Sequence, residues 1–307
     1  MLVVDVTDWK KDERHAVFPV GARDKEMIWS PEYEVDGVKA NWPYLFKESI
    51  YRYPDQYWTE LVAYIVSKHL GVDVPKVLPA MKQAEGETIY GSLIEWFYDV
   101  EVERFVHAGS YFKRMIPDFD DKMGKEHNLT DMGIIIRLLS MKANLKTNGL
   151  LWISEMALFD ALIGNTDRHQ ENWGVVFKPG EISCLSPLFD NGTSLGHERF
   201  IEHVRDWDEH RLKVYIKKGK HHLRLKREDT QDRVPHFLLV KALFNFNQES
   251  NAHIKLKVDN LDLVSMLAEI EDLTKIKAEV PFTRERFEWI QKNLEVRFKL
   301  IKEELKK

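Results

Sequence analysis

The sequence predicts an α+β fold in two lobes, a small β-rich lobe over residues 1–97 and a larger helical lobe over residues 98–307. Short runs of aromatic and aliphatic residues, separated by turn-forming residues, fill the first part and are typical of strands. Apolar residues spaced by three and four positions dominate the second part and are typical of helices. A chain of 307 residues is long enough for one large domain or two lobes with a substantial core.

The first lobe is predicted to hold strands and turns around one helix. Strands are predicted at 26–29, 44–47 and 88–96, with a turn-prone stretch between the first two that suits a hairpin. Pro54 and Asp55 open the helix, whose apolar residues recur at helical spacing. Gly71 is predicted to end it, because glycine is the usual residue at a helix C-cap.

The second lobe combines helices with one short hairpin. Helices are predicted at 131–145, at 150–163 and near the C-terminus, where Phe287, Ile290, Leu294, Phe298 and Ile301 share one face. Runs 173–177 and 181–185 are joined by Lys178-Pro-Gly180, which predicts a hairpin because proline and glycine supply the turn geometry.

The composition excludes several classes of function. The net charge is -5, so the chain as a whole does not favour nucleic acid or an acidic membrane, and no direct nucleic-acid partner is expected. Cys184 is the one cysteine, which excludes an internal disulfide and a multi-cysteine zinc site. The first apolar run is broken by Asp5, and no window approaches the ~18 apolar residues of a membrane span. A soluble, cytoplasmic protein is therefore expected.

A loop, a hairpin and a second loop carry the strongest chemical signal. Asp167 follows a helix of buried character, and Asn172 comes five residues later. The hairpin then leads to Asp190, in the segment Phe-Asp-Asn-Gly. Phosphoryl transfer needs a carboxylate to position the attacking hydroxyl and oxygen ligands to hold Mg²⁺, and these residues supply both. Each residue alone is more simply a loop cap, but the combination favours a metal-dependent phosphotransferase.

A lysine and a glutamate far upstream complete this set. Lys47 ends a strand, and Glu60 lies near the start of the following helix. A strand lysine paired with a helix glutamate is the usual arrangement for holding an ammonium against ATP phosphates. Lysines in such runs often lie at the surface, with the stem packed on apolar neighbours. Asp55 is a rival partner, although it is more typical of a helix N-terminus.

A third element precedes the first strand. Gly21, Arg23 and Lys25 offer one glycine and two cations, which suits a nucleotide-phosphate loop. The pattern is not a G-x-G-x-x-G motif.

At these residues the chain resembles a known family. Ile163–Trp173, the hairpin and Leu185–Gly192 look like the catalytic and metal-binding segments of HipA-like serine/threonine kinases. The Asp-Arg-His sequence is also similar to the corresponding loop of phosphoinositide kinases, which are distant relatives. The match covers roughly residues 20–195. Longer family members carry an additional N-terminal subdomain, so this chain resembles the compact form.

The resemblance implies a bilobal protein-kinase-like fold and a role for each residue of the site. Asp167 would be the catalytic base, while His169 would stiffen its loop or approach the phosphates. Lys47 would contact the ATP phosphates with Glu60 as its support. The remaining implied roles are Mg²⁺ ligation and adenine contact at the hinge: Asn172 and Asp190 for the metal, and Glu95, Trp96 and Phe97 for the hinge.

The implied activity is transfer of the γ-phosphoryl group of ATP, with Mg²⁺, to a serine or threonine hydroxyl of a protein. The implied biological roles are a toxin that pairs with an antitoxin protein and a stand-alone effector kinase. The segment near Gly21 lacks the serine-containing loop of the longer proteins, so the resemblance does not support autophosphorylation there. A lipid or small-molecule kinase remains an alternative, as does a nucleotide-binding pseudokinase, although no essential ionisable residue is replaced.

Histidines and basic residues outside this set have simpler interpretations. The run Lys217–Lys226 predicts a solvated surface, with docking of an acidic protein or a tRNA-bound substrate as the alternative. His203 and His210 are surrounded by charged residues, so a solvated face is favoured over a zinc site.

Overall fold

A computed structural model describes residues 2–13, 24–178, 180, 183–229 and 232–307. Within these ranges the first part of the chain forms a six-stranded sheet in the order β1-β5-β6-β4-β3-β2. The strands are β1 (Val4–Asp5), β2 (Lys10–Lys11), β3 (Lys25–Trp29), β4 (Pro43–Glu48), β5 (Val77–Ala84) and β6 (Glu87–Glu95). β1 runs parallel to β5, and the other neighbouring strands are antiparallel. All three strands predicted in this part are present.

Alternation along β4 places its side chains on opposite faces of the sheet. Tyr44 and Phe46 are fully buried in a small core on one face, together with residues of β1, β3, β5 and β6. Because side chains alternate along a strand, Lys47 lies on the other face. That is the face against which α1 (Tyr57–Leu70) packs, through contacts with β5 and β6. The sheet therefore presents Lys47 to the first helix.

The predicted end of α1 is confirmed at Gly71, which has a left-handed backbone with φ of 66°. Such a conformation suits glycine because it has no Cβ. The helix begins at Tyr57, slightly later than predicted, and Asp55 lies before it. Asp55 accepts a hydrogen bond from Arg286 at 2.7 Å instead of pairing with Lys47.

The rest of the chain is mainly helical. The helices are α2 (Ala108–Met115), α3 (Leu129–Lys142), α4 (Gly149–Ile163), α5 (Ile201–Val204), α6 (Glu209–Lys218), α7 (His236–Phe244), α8 (Gln248–Asn260), α9 (Leu263–Glu271) and α10 (Arg284–Leu305), with a 3₁₀ turn at Asp272–Lys275. The predicted hairpin is present as β8 (Gly174–Phe177) and β9 (Cys184–Leu185), and β7 (Arg104–His107) adds a strand that was not predicted. The boundary between lobes at residue 97 stays a prediction.

Helix α4 is the central helix of this part and packs against α3, α7, α8 and α10. Its side chains are nearly all buried, as expected for a sequence that is apolar on every side. The Asn148 side chain caps its start by accepting hydrogen bonds from the amides of Leu150 and Leu151. Gly164 ends it in a left-handed conformation with φ of 69°. A sharply ended, buried helix gives the following loop a fixed base.

The solvated surface predicted for Lys217–Lys226 is wrong in its central part. Lys217 and Lys218 are exposed at the end of α6, but His221, His222 and Arg224 are buried. The basic pattern misled because tertiary contacts bury these side chains. His221 binds Asp160, the His222 ring lies 5.8 Å from the His169 ring, and Arg224 donates to the Gly124 carbonyl. His203 and His210 are exposed, as predicted.

No group of three or more histidine, cysteine or acidic side chains in the described ranges could hold a metal ion. None of the helices in those ranges is both long and apolar enough to cross a membrane.

Candidate active site

Three charged residues that are distant in sequence meet between the sheet and the segment after β9. Lys47 Nζ donates a hydrogen bond to Glu60 Oε1 at 2.9 Å and forms a second, shorter contact with Asp190 Oδ1. The Lys47 and Glu60 side chains are buried, whereas the Asp190 side chain is 35% exposed. The structure therefore joins three of the predicted site residues into one cluster that is open to solvent at Asp190.

Glu60 supports both sides of this cluster. One of its oxygens accepts from Lys47, and Oε2 accepts the backbone N–H of Asn191 at 3.0 Å. Asp190 itself has a left-handed backbone with φ of 60°, which aspartate tolerates better than most residues. Non-glycine residues in this region persist where surrounding contacts hold them, and they concentrate at functional sites. Helix α1 thus fixes both the lysine and the turn that presents the Asp190 carboxylate.

The loop from Asn165 to Asn172 is held by its own side chains. Asn165 Oδ1 accepts the backbone N–H of Asp167 at 2.9 Å. Asn172 Nδ2 donates to the carbonyl oxygen of Asp167 at 2.7 Å. Because the amide nitrogen of Asn172 is the donor, its Oδ1 is the atom through which this side chain would bind a cation. Asp167 and Asn172 therefore lie in one rigid loop, as the sequence predicted.

The electrostatic surroundings of Asp167 raise the pKa of its carboxyl group. Burial is the largest cause, and the negative charge of Asp190 acts in the same direction. His169, Arg233 and Arg168 oppose it, in that order of strength, without cancelling it. His169 Nδ1 accepts the backbone N–H of Glu171 at 3.2 Å, so the proton of a neutral ring is on Nε2. A carboxylate with a raised pKa is a stronger base toward a hydroxyl proton.

A second charged cluster lies beneath this loop and is closed to solvent. Arg168 donates to the two carboxylate oxygens of Asp160 at 3.1 and 2.9 Å, and His221 Nε2 lies 3.0 Å from Asp160 Oδ2. All three side chains have 0% exposure. Burial favours a higher pKa for Asp160, but Arg168 and His221 outweigh it and lower the pKa to about 2. His221 Nδ1 accepts the amide of Leu223, so Nε2 is the donor to Asp160.

Arg168 links this closed cluster to the segment that carries Asp190. It donates to Asn191 Oδ1 at 2.6 Å and also to the carbonyl oxygen of Phe189. The roles of Asp160 and His221 were not foreseen from the sequence. Asp160 stands within the apolar run of α4, and a buried acid requires a partner. That signal was present, but it did not reveal which residue the partner would be.

The predicted hinge residues at the end of β6 differ in how their backbone groups are used. The Trp96 amide donates to the Pro43 carbonyl at 3.1 Å, and its carbonyl accepts from Trp42 Nε1 at 2.8 Å. Both backbone groups of Trp96 are thus used within the protein. The Glu95 carbonyl and the Phe97 amide are the hinge groups that would remain for the predicted adenine contacts.

An aromatic cluster joins this hinge to the residue before Asp190. Phe97 and Phe189 stack with ring centroids 5.2 Å apart, and Phe105 meets both rings edge-on, at 5.1 and 5.7 Å. Such stacked and edge-on pairs are the favoured aromatic geometries. Phe105 and Phe189 were not predicted as site residues, because aromatic side chains in a core-forming segment give no separate sequence signal.

The predicted phosphate loop can be placed only in part. Gly21 and Arg23 lie outside the described residues. Lys25 is the first residue of β3 and stands opposite Lys47 in the register of β3 and β4. Residues directly opposite in antiparallel strands share a face of the sheet, so Lys25 lies on the same face as Lys47.

A family model matches most of this chain. The model describes the HipA-like C-terminal domain and covers residues 19–272. The chain belongs to this family. The membership predicted from a match over roughly residues 20–195 is therefore confirmed, and the family model extends further, to residue 272.

A solved kinase structure confirms the fold of this HipA-like chain. It is similar to the Helicobacter pylori proinflammatory kinase CtkA, with a TM-score of 0.72 and 18% identity over 99% of this chain and 96% of CtkA. It also aligns with HipA of Shewanella oneidensis, solved with HipB and operator DNA, at a TM-score of 0.49 and 13% identity over 95% of this chain and 66% of that one. No curated protein sequence matches. The predicted α+β, bilobal kinase-like fold is confirmed.

Proposed function

We propose that this HipA-like chain is an ATP- and Mg²⁺-dependent phosphotransferase that phosphorylates serine or threonine hydroxyls of a protein. The observation that carries the proposal is the convergence of Lys47, Glu60 and Asp190 beside the loop of Asp167 and Asn172. Each group required for phosphoryl transfer has a candidate in this arrangement. Membership of the HipA-like family supports the same reaction class.

The donor atoms at the site fit Mg²⁺. Asp190 offers a partly exposed carboxylate, and Asn172 offers an amide oxygen. Mg²⁺ prefers such hard oxygen ligands and is usually held by one or two side chains together with phosphate oxygens. When bound there, the ion would neutralise charge on the transferring phosphoryl group. Glu60 would keep the Lys47 ammonium directed toward the phosphates.

The raised pKa of Asp167 supports its role as the base. Its carboxylate would orient the acceptor hydroxyl and take up its proton as the phosphoryl group transfers. His169 and Arg168 flank it with positive or proton-donating groups, and neither removes the shift. The adenine ring would lie against Phe97 and Phe189, with the Glu95 carbonyl and the Phe97 amide as its polar partners.

The roles of toxin and effector kinase remain predictions, as do an antitoxin partner and a cytoplasmic location. The toxin, effector and antitoxin roles rest on the family resemblance, and the cytoplasmic location rests on the sequence composition. The acceptor class is the part of the proposal most directly open to experiment.

The deciding experiment incubates the protein with labelled ATP and Mg²⁺, together with cell lysate or with lipid vesicles. Label should enter protein, and Asp167→Asn should lower it by about 10²- to 10⁴-fold, the usual contribution of a positioned general base. Asp206→Asn is the matched control, because the Asp206 side chain is 89% exposed and pairs with Arg205 at the surface. Label in lipid alone would make the chain a lipid kinase. Nucleotide binding with no turnover in any fraction would make it a pseudokinase.

A further inference from the structure

Residues 233–236 lie beside the loop that carries Asp167. His236 Nε2 donates to the carbonyl oxygen of Asn165 at 2.6 Å. The Val234 amide donates to the Leu223 carbonyl at 2.9 Å, and the Val234 carbonyl accepts the amide of His221 at 2.8 Å. These hydrogen bonds fix Arg233, which precedes Val234, next to the site rather than on a free surface.

Arg233 differs from three other arginines of this region because its guanidinium makes no hydrogen bond or close ion pair within the described residues, although its charge acts on Asp167. Arg168 is bound to Asp160, Arg224 donates to the Gly124 carbonyl at 2.7 Å, and Arg227 donates to Asp131 at 2.7 Å. The Arg233 side chain is half-buried, yet no hydrogen bond or ion pair joins its guanidinium to any residue in the described ranges. A guanidinium has five N–H donors in a planar fork, which suits carboxylate and phosphate groups.

The positive charge of Arg233 influences three ionisable groups near the loop that carries Asp167. Its positive charge lowers the pKa of Asp167, and after burial it is the strongest influence that lowers the pKa of His222 to about 3. Arg233 also lowers the pKa of Arg224, where Glu126 is the acid acting in opposition. Asp190 contacts Lys47, whereas Val234, the residue after Arg233, is hydrogen-bonded to Leu223 and His221. Arg233 and Asp190 are therefore held by different segments around Asp167.

Buried polar atoms next to Arg233 also lack partners. Nδ1 of His222 and Nε of Arg224 have no hydrogen-bond partner within the described residues, although each side chain is only 5% exposed. Buried polar groups are normally satisfied, so unsatisfied ones call for an explanation such as a ligand. Two positive side chains, Arg224 and Arg233, together with the unpaired nitrogen atoms of His222 and Arg224, are suited to binding an anion.

We propose that Arg233, backed by His222 and Arg224, forms an anion site that selects protein acceptors with an acidic or phosphorylated residue beside the target hydroxyl. This inference rests on the proposed protein kinase activity. The phosphates of ATP are assigned to Lys47 and the segment that carries Asp190. An anion reaching Arg233 would therefore arrive with the acceptor.

The test uses short peptides with a central serine flanked by phosphoserine, glutamate, alanine or lysine. The kinetic arm measures KM for each peptide and for ATP with the wild type, Arg233→Ala, Arg233→Glu and the control Arg227→Ala. The wild type should favour phosphoserine and glutamate peptides. Arg233→Ala should raise KM for those peptides by about tenfold, the loss expected for one charge-assisted contact, with KM for ATP unchanged. Arg233→Glu should shift the preference to the lysine peptide, while Arg227→Ala should behave as wild type.

The binding arm measures fluorescence anisotropy of the same labelled peptides and does not depend on turnover. Tighter binding of the phosphoserine peptide, lost in Arg233→Ala and weakened by salt, supports the anion site even if no peptide becomes labelled and the proposed activity fails. Equal binding of the phosphoserine and alanine peptides would overturn the inference while leaving the kinase proposal intact. A rise in KM for ATP with unchanged peptide preference would also overturn it, because Arg233 would then serve the nucleotide.

Discussion

Two charged clusters, each built around one basic side chain, meet at the Asp190–Asn191 segment. Lys47, Glu60 and Asp190 form the first, which opens to solvent at Asp190. Arg168, Asp160 and His221 form the second, which is fully buried. A closed ionic cluster has all its oxygens and donors committed, so it can only hold the chain in place. An open one keeps carboxylate capacity for a ligand, and this difference separates the structural cluster from the proposed functional one.

Asn191 joins the two clusters. Its backbone N–H donates to Glu60 and its side-chain oxygen accepts from Arg168. The turn that presents Asp190 is therefore held from both sides. If the closed cluster is structural and the open cluster is functional, variants of the closed cluster should lower stability. Variants of the open cluster should lower turnover.

The largest effect is expected for Arg168→Met. Removing the cation leaves the Asp160 carboxylate buried without its main partner, and breaking a buried pair in this way typically costs about 3–5 kcal/mol. Urea unfolding followed by circular dichroism measures the loss. Arg205→Met is the control, because Arg205 is 65% exposed in a surface ion pair whose removal should change stability by less than about 1 kcal/mol. Equal stability of the two variants would contradict a structural role for the closed cluster.

Lys47→Met should instead lower turnover by about 10²- to 10³-fold, the usual effect of removing one group that stabilises developing charge. Lys82 offers a close control, because it is also a sheet lysine bound to two acids, Glu26 at 2.6 Å and Glu48 at 2.7 Å. Lys82→Met should retain turnover. The double variant Lys47→Met with Glu60→Gln should recover stability lost through the unpaired Glu60, without recovering turnover. Turnover in Lys47→Met equal to that in Lys82→Met would remove Lys47 from the site.

Acidification should destabilise the folded chain through two buried histidines. Burial lowers the pKa of His222 and of His236 to about 3, so both stay neutral in the folded chain while the unfolded chain binds protons below about 6.5. Their contribution is complete above pH 6.5 and falls as the pH drops toward 3, by about 1.4 kcal/mol per pH unit for each ring.

Urea midpoints at several pH values measure this slope. His222→Asn combined with His236→Gln should flatten it, whereas His210→Asn, a change at an exposed ring, should leave it as in the wild type. The same slope in all three proteins would show that other groups control acid stability.

The smallest effect concerns the pH dependence of turnover. His169 is the strongest of the charges that lower the pKa of Asp167, so His169→Gln should raise that pKa further. The acid limb of the kcat profile should move to higher pH, while the rate at high pH stays nearly constant. An unmoved limb, with a lower rate at every pH, would indicate that His169 acts on the phosphates instead.

Local patterns were enough to predict the open cluster but not the closed one. Lys47 and Glu60 could be found because a strand lysine followed by a helix glutamate is a local pattern, and Asp190 because it follows a strong hairpin. His221 lies 61 residues from Asp160, and its basic neighbours suggested a solvated surface. These residues come together only because the segment before α7 packs against α4. No periodicity in either segment predicts that contact.

The fold shows the same limit. α1, α4, α10 and the hairpin were predicted because each has a long periodic or turn-defined pattern. β1, β2 and β7 have four residues or fewer, and β5 was not predicted either although it has eight. Pairing with neighbouring strands defines them, and pairing depends on the whole sheet.

The direct contact between Lys47 and Asp190 has a consequence for the order of ligand binding. The ammonium group occupies the carboxylate that a divalent ion would use, so the ion alone must compete with an internal cation. ATP phosphates would attract the ammonium group and release the carboxylate at the same moment. Each ligand should therefore raise the affinity for the other by an equal factor, as thermodynamic linkage requires. The site formed by Lys47, Glu60 and Asp190 should bind the metal–nucleotide complex and bind either component alone only weakly.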